Sequence, residues 1–199
     1  QNYSHGYFVA YEHMLQDNPD FVIHLGDYIY DTSFGATFRK HETEKRPETL
    51  NDFRRRHALY KTDEHLQRVH AQIPFFTTID NHDAIEDRDT DKFAQRIAAY
   101  QAWYEHMPVR GYSGPGANHF DLLRKIQLGD LAQISLLDVR QFRDKRDLCR
   151  DSRDPDYGFG NYRERCREVM KEERTMLGDK QEKWLINNLR ANTSAWNVI

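Results

Sequence analysis

The sequence predicts a layered α/β (α+β) domain, a mixed β-sheet flanked by helices, on three observations. Short apolar runs rich in β-branched and aromatic residues alternate along the chain with stretches of helical spacing. The composition, 38% hydrophobic and 13% aromatic over 199 residues, suits about one domain with a sizeable core. Glycine, proline, asparagine and aspartate punctuate most of the boundaries between runs.

Taken in order, Phe8, Tyr11 and Leu15 lie on one face of a helix between Gly6 and Gln16, and Asn18 to Asp20 ("NPD") stop it. "FVIHLG" then reads as a buried strand. Phe53 to Tyr60 and Asp63 to Gln72 form two short helices, after which Pro74 introduces a second strand, "FFTTI". From Asp91 to His106, Phe93, Ile97, Tyr100 and Tyr104 recur at helical spacing, ending before Pro108. Gly111 to His119 is a loop by composition. Phe120, Leu122, Ile126 and Leu128 alternate toward a two-residue turn at Gly129 and Asp130, and "LAQISLLDV" completes a β-hairpin. A last helix opens at Gly178 and Asp179, and "AWNVI" begins another strand. No internal repeat and no low-complexity tract interrupts this order.

Charged residues make up 31% but nearly cancel to a net charge of -3, which argues against a nucleic-acid-binding surface. No stretch approaches the roughly 20 apolar residues of a membrane helix. The chain opens on Gln1 and closes on Ile199 within an apolar run, so residues 1–199 read as part of one domain, incomplete at both ends. A missing signal peptide therefore decides nothing. A monomer is the expected state. Cys149 and Cys166 share one polar stretch; pairing would contribute roughly 3 kcal/mol and imply an oxidising compartment. Two unrelated reduced thiols are the other reading.

The informative residues lie at two strand ends. Asp27, Tyr28, Tyr30 and Asp31 follow the first strand; Asp80, Asn81, His82 and Asp83 follow the second. Ligands of open α/β sheets bind beyond the carboxyl ends of strands, so neighbouring strands would turn both clusters into one crevice. Asp27 has two oxygens with which to bridge cations, and a phenolate at Tyr30 needs a strongly acidic metal such as ferric iron. Asn81 offers a neutral carbonyl oxygen to a harder divalent ion. His82 is placed to protonate a leaving alkoxide, with Asp83 to orient it. Asp80 counts as a further candidate ligand, although it and Asp31 would equally serve to fix a ligand or cap a turn. Two clustered metals would clamp a phosphate and acidify a water. "GD" occurs three times, at Gly26, Gly129 and Gly178, but only the first has a strand before it and a tyrosine three residues after the aspartate.

Other residues have plainer roles. His24 fits a core position, whereas His5, His57, His65, His70 and His106 lie on helices or their edges, where exposure is the default. Tyr100, Trp103 and Tyr104 are at helical spacing and read as core. Arg54, Arg55 and Arg56 read as a basic helix face. Arg140 is the strongest phosphate-contact candidate among the arginines, against a buried salt bridge with Asp138.

At these residues the chain resembles the PhoD-like alkaline phosphatases, of the wider calcineurin-like metallophosphoesterase superfamily. "QNYSHGYFVAYEHM", "DFVIHLGDYIYD", "IPFFTTIDNHD", "GDLAQISLLDVRQFRD" and "RTMLGDKQEKWL" are similar to that family's blocks, in order. "GDxxY" and "NHD" are also similar to the purple acid phosphatase pattern. The resemblance implies Asp27 as bridging ligand, Tyr30 as ferric ligand, Asn81 as ligand of the second metal and His82 as proton donor. It implies hydrolysis of phosphate mono- and diesters with Fe3+ and Ca2+, or another divalent ion at the second site, by an exported enzyme, which agrees with a cystine. The family more often reads "DDHE" where this chain has "DNHD", so the second site carries one negative charge fewer. A cysteine ligand is expected before Gln1 and further ligands after Ile199, so this stretch alone would bind metal weakly. A non-catalytic or truncated relative serving as an interaction module is the alternative reading.

Overall fold

The computed structural model describes residues 1–84, 92–110, 120–144 and 172–199. Helix α1, Ala10–Asp17, stops at Asn18, whose left-handed backbone (φ 48°, ψ 56°) lets its N–H reach the Leu15 carbonyl. Asparagine tolerates that conformation better than most residues, so "NPD" ends the helix as its sequence suggests. Strand β1, Val22–His24, follows.

Parallel strands require a crossover, and here it is helical. Helix α2, Leu50–Tyr60, opens on a capping box: Thr49 Oγ1 accepts the Asp52 N–H at 3.2 Å while the Asp52 carboxylate accepts the Thr49 N–H at 3.0 Å. Helix α3, Glu64–Gln72, is capped by Asp63, which accepts the Leu66 N–H at 3.1 Å. The same buried carboxylate holds the Phe8 N–H at 3.2 Å and the Arg39 guanidinium at 2.7 Å, tying the N-terminal segment to the crossover. Strand β2, Phe75–Thr77, then pairs with β1 in parallel, Val22 opposite Phe75 and His24 opposite Thr77.

Helix α4 is the four-residue Asn81–Ala84, and α5 spans Phe93–His106. Strands β3, Arg124–Leu128, and β4, Ala132–Leu136, form an antiparallel hairpin; helix α6, Asp179–Ala191, leads to β5, Trp196–Val198, parallel to β4. The element order matches the sequence expectation, with three differences. Among the described residues the strands fall into a two-stranded and a three-stranded sheet rather than one. These are stitched where β2 and β4 end: Thr78 Oγ1 donates to the Leu137 carbonyl at 2.7 Å, and Arg124 donates to the Thr77 carbonyl at 2.5 Å. Leu128 pairs with Ala132, so the hairpin loop has three residues, not two. The buried stripe of α5 is Ala99, Tyr100, Ala102 and Trp103, which turns Phe93 to solvent.

The main core gathers Tyr28, Ile29, Phe53, Tyr60, Leu66, Val69, Tyr100 and Trp103 among the packed helices. His57, expected to be exposed, is fully buried between α2 and α5, its ring stacked on His106 at 5.0 Å, and neither ring nitrogen has a hydrogen-bond partner among the described residues. Burial holds it neutral far below the usual histidine range. An unfolded chain takes up that proton below about pH 6.5 and the folded one does not, so stability falls as pH drops. Thermal melts at pH 7.5 and pH 5 should show that loss, and His57→Leu should reduce it without abolishing it, because burial also holds His24, His41 and His70 down to about 4. Cys149 and Cys166 lie outside the described residues.

Candidate active site

The β1 and β2 ends meet because Gly26 has no side chain. Its φ is +99°, and a Cβ there would stand 2.5 Å from Asp80 Cβ and 2.6 Å from Asp80 N. Backbone cannot yield as a side-chain tip can, so Gly26→Ala should cost about 2–4 kcal/mol through both φ and overlap. Denaturant melts would measure it; an unchanged midpoint would contradict the close approach.

Asp27 follows in the left-handed region at φ 50°, a strained conformation for a residue with a side chain. Its carboxylate reaches across to the second cluster, accepting the His82 backbone N–H at 3.1 Å on Oδ1, while Oδ2 faces the Tyr30 hydroxyl at 3.4 Å. Burial and the Asp27 charge push the Tyr30 phenol above its ordinary range. Tyr28 turns inward instead, fully buried, its hydroxyl on His70 Nε2 at 2.9 Å. That separates the two tyrosines of the motif: one belongs to the core and one to the crevice.

Asp83 differs from its expected role. It is fully buried and accepts the Ile29 N–H at 3.0 Å and the Asp80 N–H at 3.1 Å, so it pins the two loops together from beneath. Burial pushes its carboxyl up to about 7. The carboxylate beside His82 is Asp31, whose Oδ1 lies 2.7 Å from Nδ1 and whose Oδ2 meets Arg46 at 3.2 Å. The Asp31 hydrogen bond holds the imidazole above its ordinary pKa, against the opposing pull of burial. The ring is stacked on Tyr30 at 4.5 Å and stands perpendicular to Phe34 at 5.3 Å.

Arg140 arrives from the end of β4. Its Nε donates to Asp80 at 2.6 Å and its terminal nitrogen to Asn81 Oδ1 at 3.3 Å, so the carboxylate of the candidate ligand Asp80 is ion-paired to Arg140. The Arg140 backbone N–H donates to Asp138 Oδ1 at 2.8 Å. Three strand ends thus present Asp27, Tyr30, Asn81, His82 and Arg140 to one crevice.

The family described as PhoD-like phosphatase matches residues 1–199. The chain belongs to that family. Alkaline phosphatase D of Bacillus subtilis (strain 168) is 38% identical over 216 aligned residues, covering 100% of this chain and 35% of that protein. A solved structure described as the structure of PhoD superposes with a TM-score of 0.84 at 36% identity, covering 99% of this chain and 39% of the other. The chain therefore spans a little over a third of the length of these relatives.

Within this PhoD-like chain the donor set suits a hard, strongly acidic cation, since the Asp27 carboxylate and the Tyr30 phenol converge. It is a partial shell: among the described residues no group of three or more His, Cys, Asp or Glu side chains could hold an ion. Sequence reasoning missed several supports. Fully buried Arg56, read as part of a basic face, donates to the Tyr30 carbonyl at 2.5 Å and to Glu42 at 3.0 Å, and Tyr60 Oη accepts the Tyr30 N–H at 3.1 Å. Nothing in "RRR" distinguishes Arg56 from its neighbours, which pair at the surface with Glu105 and Asp52.

Proposed function

We propose that the full-length protein carrying these residues hydrolyses phosphate mono- and diesters at a two-metal centre to which this chain contributes Asp27, Tyr30 and Asn81. The observation that carries the reading is the Asp27 carboxylate, held by one strand-end loop and hydrogen-bonded to the other with an oxygen toward Tyr30. Membership of the PhoD-like phosphatase family supports it.

Bound cations would neutralise the phosphate and acidify a water toward pKa ~7. Ferric iron suits the Asp27 and Tyr30 side, and calcium or another divalent ion suits the neutral oxygen of Asn81. The chain's own residues supply the rest. His82 presents Nε2 to the departing oxygen, because its Nδ1 is engaged by Asp31; a proton held there passes to the leaving alkoxide. Asp31 fixes the ring and favours its charged form. Arg140 steadies Asn81 and Asp80 and brings positive charge to the phosphate end of the crevice. Asp83 and Arg56 keep the two loops in register.

An exported monomer with Cys149 paired to Cys166 completes the reading; among the described residues no helix is long and apolar enough to cross a membrane. Elemental analysis of the full-length protein, together with turnover of p-nitrophenyl phosphate and its bis-ester, tests the proposal. Metal-free protein that stays inert after loading with iron and calcium would refute it and favour a non-catalytic relative.

A further inference from the structure

Among the described residues only three other than glycine adopt positive φ: Asn18, Asp27 and Phe34. Asn18 ends a helix and Asp27 anchors the crevice. Phe34, at φ 50°, performs neither task, yet a bulky aromatic residue is a poor occupant of the left-handed region. The core does not require it, because its residue is 60% exposed. The turn from Ser33 to Ala36, closed by the Ala36 N–H on the Ser33 carbonyl at 3.0 Å, instead fixes the ring at the edge of the site, 5.9 Å from Tyr30 and 5.3 Å from His82, edge-on to both (77° and 87°). A strained backbone, an open aromatic surface and contact with the imidazole that faces the departing oxygen coincide in one residue. Phe38, also exposed, packs edge-on against Tyr7.

We infer that Phe34 forms the wall of a subsite for the alcohol part of the ester, selecting phosphate esters whose alcohol carries a flat apolar or aromatic group. The inference rests on the proposed hydrolase reading, since it places the leaving group beside His82. Substituents on the departing oxygen emerge past the imidazole, where the exposed Phe34 ring offers them an apolar surface. Aromatic contacts of this kind are geometric as well as hydrophobic, so a flat group gains most.

The test compares benzyl phosphate with glycerol phosphate, both alkoxide leaving groups, in full-length metal-loaded protein and in Phe34→Ala and Phe34→Trp. Calorimetric binding of benzylphosphonate is measured alongside. Phe34→Ala should lower the ratio of kcat/KM for the benzyl over the glycerol ester about five- to tenfold, mainly through KM, and weaken benzylphosphonate binding by a similar factor. Phe34→Trp should restore both. An unchanged ratio, or an equal fall in kcat for both esters, would overturn the subsite, the second by showing that Phe34 only positions His82. Should neither ester turn over while benzylphosphonate binding still depends on Phe34, the hydrolase reading fails and the subsite stands. Absence of benzylphosphonate binding to the unaltered protein ends the subsite.

Discussion

Asp27→Asn should reduce turnover of every phosphate ester by on the order of a thousandfold while leaving the melting temperature nearly unchanged. Asparagine keeps the shape of the side chain and one carbonyl oxygen, so the hydrogen bond from the His82 N–H survives. What disappears is the negative charge and the second anionic oxygen facing Tyr30. Residues that only support a metal ligand typically cost 10–100-fold on removal, so the side chain at the junction of both loops should cost more, roughly 4 kcal/mol of transition-state stabilisation. Metal content should fall with activity. A variant that retains turnover would remove Asp27 from the chemistry.

His82→Asn should lower kcat by about 10²–10⁴-fold for alkyl phosphates, the range of a positioned general acid. Asparagine retains a nitrogen able to donate to Asp31, so the loop keeps its anchor there. The effect should depend on the ester. An alkoxide departs slowly without a proton, whereas p-nitrophenolate leaves unaided, so its ester should lose much less. Equal losses for both would make His82 a structural or phosphate-binding group. Asp31→Asn should shift the same balance in weaker form, because it weakens the hold on the charged imidazole without removing it.

The fold and the site were legible in the sequence to different depths. Strand and helix order followed from periodicity and from Asn18, Pro74 and Gly129, whose conformational limits act locally. The junction of "GDYIYD" with "DNHD" was also visible, because both clusters close apolar runs and parallel neighbours bring such ends together. Pairwise contacts were not visible. Asp31 and Asp83 are both carboxylates near His82 in sequence terms, and only the backbone path decides that Asp31 meets the ring while Asp83 sinks beneath the loops. Arg56 and His57 sit side by side on α2, where composition suggests exposure. Packing against the Tyr30 loop and α5 buries both. The split into two sheets was hidden as well, since pairing of β4 with β5 joins residues far apart in the chain.

The paired oxygens of Asp27 and Tyr30 can be tested by the visible absorption of the full-length protein loaded with ferric iron. A tyrosinate-to-iron charge-transfer band should appear, vanish in Tyr30→Phe and persist in His82→Asn. An active, iron-loaded protein whose band is absent, or survives in Tyr30→Phe, would show that the phenol at residue 30 does not hold the cation.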